Sequence, residues 1–576
     1  MEKTVKSQAI RAFEGYGLGI AAIAAAISLS GCNGWGNNSP APVALSCSEL
    51  AGMTVPASSI GLPTTGATVT ATQVVAAAGT GPAAVGEYCK VTADINPLDA
   101  TAPKIKLQVN LPTHWNNKML MFGGGGYDGS IPNPAANVPA GPVDQLTPLG
   151  RGYATFSSDS GHQANALASQ DGSFGVNDEA LKNFSGDALK KTRDVALVLL
   201  KARYAVSGPQ KAYFAGGSSG GREALSVVQR WPQDWDGSIV FYPAWNAASL
   251  DLQFGRIARA LAAPGAYPNA AKRKQLYDAA IEACDSLDGV KDGLISNIQA
   301  CNATFNPATA TVRGNPLRCA GGTEGGDSCL SDAQISALNV FNTPITFSYS
   351  LASGETQYPG FNTWGTDLGI PNPGPLQPTV TFLAFGSAQP ANPMPASAPY
   401  SSTFWDQWVR YFVTRDLNFN SLTLDPQNPG SFQARISALT GLQDVNKTDL
   451  SAFQAKGGKI LMAHGIGDAL VSTRATEQYY DHLKSTMGAA KVDSFVRYYE
   501  IPGYAHLVST IFNAAWDSLT TLENWVEKGI SPSNQVVSDT AGVPGRTRPL
   551  CDYPSWPRYK GSGDINVSAS FSCVTQ

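Results

Sequence analysis

The chain has 576 residues, of which 43% are hydrophobic and 15% are charged, and its formal net charge is -4. This composition excludes a disordered chain, which would be poor in apolar residues, and it excludes a nucleic-acid-binding protein, which would carry a basic excess. The 58 Gly and 38 Pro instead indicate a loop-rich globular protein that works outside the cytoplasm.

The first 31 residues are predicted to be a secretory signal peptide. Basic residues precede the apolar stretch 18–29, which is too short to span a bilayer. The stretch ends Leu29-Ser30-Gly31-Cys32, which is typical of a bacterial lipoprotein signal, so we predict lipidation of Cys32. Cleavage that leaves Cys32 unmodified is the alternative. Residues 32–45 are expected to form a flexible tether, and the protein is expected to be periplasmic, an outer-membrane lipoprotein or secreted.

Eight cysteines remain beyond Cys32, and an even number in an exported chain predicts four disulfides. Pairing between neighbours in sequence is the simplest arrangement, although the sequence alone does not choose one. The chain has no C-x-x-C motif, which argues against a zinc ribbon. The eight are Cys47, Cys89, Cys284, Cys301, Cys319, Cys329, Cys551 and Cys573.

Alternating strands and helices follow one another in the first half of the chain, which predicts an α/β protein with a parallel sheet. The apolar patterns predict strands and helices in this order: strands at 105–111, 118–122 and 153–156, a helix at 186–203, a strand at 211–215 and a helix at 222–231.

The segment 246–440 breaks this pattern. It is rich in Pro, Gly, Asn and Ser and holds four of the eight cysteines. Strand patterns resume at 459–463 and 495–501. We therefore expect one α/β domain formed by 46–245 and 441–576, with 246–440 inserted into it.

A candidate nucleophile lies between the predicted strand 211–215 and the helix that follows. Gly216-Gly217-Ser218-Ser219-Gly220 matches G-x-S-x-G in the strand–turn–helix context that defines a nucleophile elbow. Shifting the motif by one residue makes Ser219 the nucleophile instead, and local sterics do not decide between the two serines. An ordinary Gly-Ser turn is the structural alternative.

A serine nucleophile of this kind needs an Asp and then a His later in the chain. Of the five histidines, His464 and His506 follow predicted strands that come after the serine. We assign Asp468 as the acid and His506 as the base. His464 is expected to be buried or to line the pocket, and a catalytic role for it stays nearly as plausible.

Gly123 to Gly126 form a run of four glycines after the strand 118–122. Such a loop lets the backbone approach a substrate closely, and together with the N–H after the nucleophile it predicts an oxyanion hole. The alternative is a turn that is flexible without any catalytic role.

Three carboxylates lie within eight residues at Asp285, Asp288 and Asp292, separated by glycine turns. Hard oxygen ligands of this kind suit Ca²⁺, which would also neutralise their mutual repulsion. Because Cys284 and Cys301 bracket the loop, we predict structural calcium, with a solvated acidic loop as the alternative.

These motifs together resemble the tannase and feruloyl esterase family, most closely its members that hydrolyse a terephthalate monoester. The resemblance covers almost the whole mature chain and is weakest at about 340–440. It is carried by these segments: Gly216 to Glu223, the Asp-rich loop, His464 to Asp468, Pro502 to His506, and the tail from Arg546 to Asp564.

The resemblance implies an α/β-hydrolase fold in which the insert is a lid that covers the active site and selects the substrate. It implies Ser218 rather than Ser219 as nucleophile, with Asp468 and His506 as partners. It further implies the following: N–H groups of Gly126 and Ser219 as the oxyanion hole; Ca²⁺ on Asp285, Asp288 and Asp292 with carbonyls of Val290 and Leu294; and disulfides Cys47–Cys89, Cys284–Cys301, Cys319–Cys329 and Cys551–Cys573.

The chain departs from the family pattern beside the active site. Two cysteines that clamp the nucleophile to the histidine in the family are replaced by Gly217 and Leu507, which predicts lower rigidity around His506. Residues 397–403 contain no Arg to hold a terephthalate carboxylate, and Val471 stands where an aromatic residue is expected. These differences weaken the case for a terephthalate monoester more than the case for aromatic esters in general.

The sequence thus predicts a serine hydrolase acting on small esters of aromatic acids of the feruloyl, galloyl or terephthaloyl type. A peptidase or amidase on the same fold, and a calcium-stabilised binding protein without activity, are the alternatives. Lid aromatics can stack on such acyl groups, although most of them are expected to be lid core; they are Phe382, Phe385, Phe404, Trp405 and Trp408.

Overall fold

The computed structural model describes residues 43–575. The predicted signal peptide, Cys32 and the tether up to residue 42 lie outside the described residues. Up to residue 245 the chain forms strands of the main sheet and three helices. They are β1 (Thr54–Val55), β2 (Ala67–Val75), β3 (Tyr88–Ile95), β4 (Ile105–Pro112), β5 (Lys118–Phe122), β6 (Ala154–Ser158), α1 (Asp178–Lys182), α2 (Ala188–Tyr204), β7 (Lys211–Gly217), α3 (Ser219–Arg230) and β8 (Gly237–Phe241).

The inserted segment is mostly helical, with short two-residue strands between the helices. Its elements are α4 (Ala247–Ala262), α5 (Ala270–Cys284), α6 (Ile298–Thr304), β9 (Thr311–Val312), β10 (Asn315–Pro316), α7 (Asp332–Asn342), β11 (Ile345–Thr346), β12 (Gln357–Tyr358), α8 (Gln377–Leu383), α9 (Tyr400–Gln407) and α10 (Gln433–Gln443).

The chain then returns to the sheet and ends in small antiparallel sheets. These last elements are α11 (Ser451–Ala455), β13 (Lys459–Gly465), α12 (Thr473–Met487), α13 (Ala489–Asp493), β14 (Val496–Ile501), β15 (Ala514–Ala515), α14 (Ser518–Lys528), β16 (Val536–Asp539), β17 (Thr547–Pro549), β18 (Trp556–Tyr559) and β19 (Phe571–Val574).

The main sheet has ten strands in the order β1-β2-β3-β4-β6-β5-β7-β8-β13-β14. The strands β1 to β4 are antiparallel, and β6, β5, β7, β8, β13 and β14 are parallel to one another. Because parallel strands share one carboxyl edge, the loops after β5, β7, β13 and β14 meet there. The insert begins after β8 at the same edge.

Alternate residues of the parallel strands bury opposite faces of the sheet. One face, with Met121 and Phe214, packs against α2, α3 and α12. The other, with Leu120 and Tyr213, packs against α14. The predicted elements are all present with ends shifted by a few residues, and β2, β3 and β8 are additional to the prediction.

The inserted segment shares its hydrophobic core with the sheet domain. Lid residues such as Trp405 and Phe412 are buried in one cluster with Tyr127, Phe184 and the residues 466–471 of the sheet domain. The lid is therefore packed onto the carboxyl edge of the sheet through a continuous apolar interface.

Four disulfides are present in the pairs that the resemblance implies: Cys47–Cys89, Cys284–Cys301, Cys319–Cys329 and Cys551–Cys573. Two lie within the insert and two within the sheet domain, so each one ties nearby segments of the same part. From residue 43 to 575, no helix is both long and apolar enough to cross a membrane.

Candidate active site

Ser218 lies at the sharp turn between β7 and α3 with φ 61° and ψ -126°. A positive φ at a non-glycine residue is strained, and it persists only where the surrounding structure enforces it. The turn is tight because a Cβ at Gly216 would lie 2.2 Å from the carbonyl oxygen of Gly220. The glycines two before and two after Ser218 are thus required for the strand and helix to approach, as a nucleophile elbow demands.

Ser219 lies one residue further on, as the first residue of α3. Its hydroxyl donates a 2.6 Å hydrogen bond to the carbonyl oxygen of Gly126. The two serines that the motif left open therefore differ: the side chain of Ser219 joins the helix to the glycine loop, whereas Ser218 lines the cavity at the elbow.

The glycine loop crosses in front of this elbow. Gly126 has φ 61°, and a Cβ there would lie 2.2 Å from the carbonyl oxygen of Ser169, so only glycine fits. Among residues 43–575 the backbone N–H groups of Gly126 and Ser219 have no hydrogen-bond acceptor. Both groups are thus available to a ligand at the cavity beside Ser218.

Asp468 and His506 come together from the loops after β13 and β14. The Nδ1 atom of His506 lies 2.7 Å from Oδ2 of Asp468. The other oxygen, Oδ1, accepts 2.8 Å hydrogen bonds from the backbone N–H groups of Leu470 and Val471. The carboxylate is therefore fixed on one side by backbone and presents its other oxygen to the histidine.

His464 is fully buried behind the same carboxylate. Its Nε2 lies 3.2 Å from Oδ2 of Asp468 and 3.1 Å from the carbonyl oxygen of Val471, while Nδ1 lies 2.8 Å from the hydroxyl of Thr476. Since both neighbours of Nε2 are acceptors, we assign its proton to Nε2. His464 lines neither cavity at Ser218, so it is a buried second donor to Asp468.

The charge on Asp468 is strongly favoured. Burial alone would raise its pKa, but the positive charge of His506 and hydrogen bonds from His464 and His506 outweigh burial and hold the pKa well below its usual range. The carboxylate is therefore ionised at neutral pH and stays so in mildly acidic solution.

The loop that carries Asp468 is also held by the lid. The hydroxyl of Ser472 donates to the carbonyl oxygen of Gly360 at 2.7 Å, and the Ser472 N–H donates to the hydroxyl of Tyr358 at 3.2 Å. The side chain of Arg474 donates to Asn362 and Asn342 of the lid. Lid and acid loop thus form one hydrogen-bonded unit.

Two cavities meet at Ser218. The outer one, of about 330 Å³, is lined by the glycine loop, Ser218, Tyr242 and His506. The inner one is narrow, about 30 Å³, and lies between Ser218 and the helix α4. Gly126, Ser218, Tyr400 and Leu470 line both.

Tyr242 fills the place where the family has a disulfide clamp. Its ring lies 4.7 Å from that of His506, measured between centroids. A Cβ at Gly217 would lie 2.4 Å from the same ring. At this position the chain therefore supports His506 by aromatic packing. The lower rigidity that we predict around His506 stays a prediction.

Two buried acids, Asp128 and Glu223, lie behind the glycine loop. Glu223 accepts a 2.9 Å hydrogen bond from the Gly124 N–H, while neither carboxyl oxygen of Asp128 has a partner that meets hydrogen-bond geometry within 43–575. Burial, and then the charge of Glu223, raise the pKa of Asp128 well above its usual range. Burial also raises the pKa of Glu223, but that of Asp128 is raised further, so we infer that Asp128 is the protonated member of this pair. The sequence motif did not reveal the pair.

The Asp-rich loop folds around its own backbone. Asp285 accepts from the N–H groups of Asp292 and Gly293, and Asp288 accepts from that of Val290. One oxygen of Asp288 is buried without a partner, while Asp292 is ion-paired with the buried Arg548.

These donors fit a calcium ion in part. Asp285, Asp288 and the carbonyls of the loop offer hard oxygen atoms, whereas Asp292 already has a cationic partner. Within residues 43–575 no three His, Cys, Asp or Glu side chains converge into a metal cluster. Calcium on Asp285, Asp288, Val290, Asp292 and Leu294 stays a prediction.

The lid aromatics divide as expected between core and cavity. Phe385, Trp405 and Trp408 are buried in the lid core. Phe404 is half-buried and lines the inner cavity, while Phe382 is 44% exposed.

The sequence did not predict a role for Tyr242 or Asp251. The fold brings both residues to the site from the segment after β8.

Known proteins share both this sequence and this fold. An uncharacterized esterase of Agrobacterium fabrum is 40% identical over 92% of this chain and 93% of its own. The mono(2-hydroxyethyl) terephthalate hydrolase of Piscinibacter sakaiensis is 30% identical over 85% of each chain. The crystal structure of feruloyl esterase B from Aspergillus oryzae superposes with a TM-score of 0.72 at 24% identity, covering 89% of this chain and 98% of that one.

The fold and these relatives define a carboxylic ester hydrolase of the α/β-hydrolase fold. The sequence model of the family described as tannase and feruloyl esterase matches residues 89–574. The chain belongs to this family, as the motifs in its sequence predicted, and it is an enzyme rather than a binding protein without activity.

Proposed function

We propose that Ser218 is the nucleophile of a serine ester hydrolase, with His506 as general base and acid and Asp468 as the residue that orients His506. One observation carries the proposal. Ser218, at a strained elbow, and His506 line the same cavity, while Nδ1 of His506 lies 2.7 Å from the buried carboxylate of Asp468. This is the geometry that a serine triad needs.

In the proposed reaction the Ser218 hydroxyl oxygen attacks the ester carbonyl carbon while its proton passes to Nε2 of His506. The protonated imidazole then gives this proton to the departing alcohol as the ester C–O bond breaks, leaving the acyl group on Ser218. Water attacks the acyl-enzyme by the same route, which releases the acid and returns the proton to Ser218. Asp468 stabilises the imidazolium in both halves.

The N–H groups of Gly126 and Ser219 are proposed to bind the oxyanion that forms at the carbonyl oxygen. Two features support this role. Both groups flank the cavity at Ser218 and have no other acceptor within the described part of the chain, and the bond from the Ser219 hydroxyl to Gly126 fixes them relative to each other. Preorganised donors of this kind stabilise the transition state without reorganisation.

The proposed substrates are small esters of aromatic carboxylic acids of the feruloyl, galloyl or terephthaloyl type. The apolar walls of the inner cavity, among them Phe184, Phe254 and Phe404, suit an aromatic ring. Named relatives act on such esters: one is a mono(2-hydroxyethyl) terephthalate hydrolase and another is a probable feruloyl esterase.

We also propose that the protein is exported, because four disulfides persist only in an oxidising compartment. A lipid anchor at Cys32 would hold it on a bacterial membrane. Structural Ca²⁺ at the Asp-rich loop is part of the same proposal, supported by the buried unpaired oxygen of Asp288.

Hydrolysis rates of three esters test the proposal: methyl ferulate, methyl gallate and mono(2-hydroxyethyl) terephthalate. We expect Ser218→Ala to lower kcat by about 10⁴-fold or more. Ser219→Ala is the comparison: it keeps the backbone N–H but removes the bond to Gly126, so its loss in kcat should be far smaller than that of Ser218→Ala. Loss of activity in Ser219→Ala with activity kept in Ser218→Ala would overturn the assignment.

A further inference from the structure

The inner cavity has one feature that the proposed chemistry does not use: a buried carboxyl group in an otherwise apolar wall. Asp251 lines this cavity and not the outer one. It therefore lies outside the region at Ser218 that belongs to both cavities. It lies one turn into α4 and is only 2% exposed.

The remaining walls offer few polar atoms. The other cavity-lining hydroxyls already donate within the protein: Tyr127 to the carbonyl oxygen of Phe404, Tyr400 to that of Ser169, and Ser219 to that of Gly126. From residue 43 to 575, no Lys or Arg lines either cavity. Besides Ser218, the polar side chains left to meet an acyl group in the inner cavity are therefore Asp251 and Gln443, and Oε1 of Gln443 already accepts a hydrogen bond from the indole of Trp408.

Asp251 lacks a partner of its own. Its Oδ1 atom is buried without any hydrogen bond to the described residues, and such an atom is costly to bury. Burial raises the pKa of Asp251 well above its ordinary value; the charge of Asp444 adds to this and Arg222 opposes it. The carboxyl group, which lines the cavity, is therefore held neutral, and a ligand that exchanges hydrogen bonds with it would reduce that cost.

We propose that Asp251 is the specificity-determining residue for the acyl group, because its carboxyl exchanges hydrogen bonds with a hydroxyl at the far end of the ring. This rests on the proposed function, in which Ser218 holds the ester carbonyl. A phenolic hydroxyl both donates and accepts, so it matches a carboxyl group in an otherwise apolar wall.

The inner cavity must widen to admit a ring, since about 30 Å³ holds about two water molecules. We infer that Phe404 is the wall that moves, because it is half-buried and its ring is held by stacking on that of Tyr127, with 3.6 Å between the ring centroids. The ring of an acyl group would enter this stack from the Ser218 side.

The experiment compares kcat/KM for methyl esters of three acyl groups with different distal substituents: 4-hydroxycinnamate, cinnamate and 4-methoxycinnamate. For the unaltered enzyme we expect 4-hydroxycinnamate to exceed cinnamate by about 10- to 100-fold. The methoxy compound, which accepts a hydrogen bond but cannot donate one, should fall between the two.

Two variants separate the hydrogen bond from the shape of the cavity. Asp251→Leu should bring the ratio of hydroxylated to plain cinnamate close to one. Asp251→Asn, whose amide still donates and accepts, should keep most of the preference for the hydroxylated cinnamate. Asp416→Asn is the matched control, because that carboxyl is exposed on the lid and lines neither cavity at Ser218; its ratios should not change.

A ratio near one in the unaltered enzyme, or a ratio that Asp251→Leu leaves unchanged, would overturn the proposal for Asp251. If Asp251→Leu fails to fold, the unaltered enzyme and Asp251→Asn still decide. Failure of the proposed function looks different: no ester would then be hydrolysed in a way that Ser218→Ala abolishes.

Discussion

The two oxygens of Asp468 are held by different partners, and this asymmetry decides what a substitution there does. Oδ1 accepts backbone N–H groups, which an amide oxygen can also accept, while Oδ2 lies between His464 and His506. An amide nitrogen in place of Oδ2 can only donate a hydrogen bond. It therefore cannot hold His506 in the tautomer that carries its hydrogen on Nδ1 and accepts the proton of Ser218 at Nε2.

We therefore expect Asp468→Asn to fold but to lose about 10⁴-fold in kcat, measured with the best of the methyl esters. His464→Leu is the comparison, because it removes a second donor to Asp468 at a residue that lines neither cavity, and its loss in kcat should be far smaller. Equal losses in both variants would show that His464 belongs to the catalytic set.

The acid pair behind the glycine loop predicts how stability depends on pH. The pKa of Asp128 is raised by burial and by Glu223, so the folded protein binds a proton that the unfolded chain releases near pH 4. The stabilisation by this proton is complete below that pH and is lost as pH rises through the folded-state pKa.

Relative to Asp128→Asn, the enzyme should therefore lose free energy of unfolding as pH rises from 5 to 9, by at most about 1.4 kcal/mol per pH unit. Urea unfolding of both proteins at pH 5, 7 and 9 measures the difference. The exposed Asp144→Asn should run parallel to the unaltered enzyme, and a difference for Asp128→Asn that does not vary with pH would contradict the protonated state.

Tyr242 determines whether the disulfide clamp of the family can be restored. A Cβ at position 217 would lie 2.4 Å from its ring, so we expect the pair Gly217→Cys and Leu507→Cys to keep free thiols when Tyr242 is present. Adding Tyr242→Ala should allow the bond to form. Thiol titration in denaturant, with and without prior reduction, distinguishes the two, and a bond formed beside an intact Tyr242 would refute the expectation.

Among the elements, the lid helix α9 sets the width of the inner cavity through Phe404. Phe404→Ala should raise kcat/KM for the bulkier methyl gallate relative to methyl 4-hydroxybenzoate by several-fold, because the truncated side chain no longer fills the cavity. Phe382→Ala on the neighbouring helix α8 is the control, since Phe382 lies outside both cavities and is largely exposed. The same change of selectivity in both variants would assign it to general loosening of the lid.

The elements also show why the sequence predicted some features and missed others. The strands β4 and β5 and the elbow at Ser218 depend on periodicity and local sterics, which neighbouring residues determine. The order of Asp468 and His506 follows from the fold. The sequence around Tyr242 and Asp251 does not indicate a role for them, because that role depends on tertiary contacts with His506 and with the lid. The strand β3 was predictable, since the buried Cys89, Val91, Ala93 and Ile95 alternate with more polar, half-buried residues.

For the whole molecule, the predicted calcium ion should contribute to stability rather than to the reaction. Removing Ca²⁺ with a chelator should lower Tm, and at a concentration 100 times Kd the ion should contribute about 2.7 kcal/mol. Asp288→Asn should lower Tm and abolish the response to Ca²⁺, whereas the exposed Asp416→Asn should respond like the unaltered enzyme. A Tm that ignores both chelator and added Ca²⁺ would refute the ion and leave Arg548 as the partner of the loop.

The hydrogen bonds from Ser472 to Gly360 and Tyr358 mean that the lid cannot be removed without disturbing the rest of the active site. Excising it would expose the cavity and would also release the loop that carries Asp468, so a lidless enzyme should be inactive rather than permissive. Exchanging whole lids between relatives carries the same risk. New substrate ranges in this architecture are therefore more readily reached by single substitutions on the cavity-facing side of the lid than by replacement of the module.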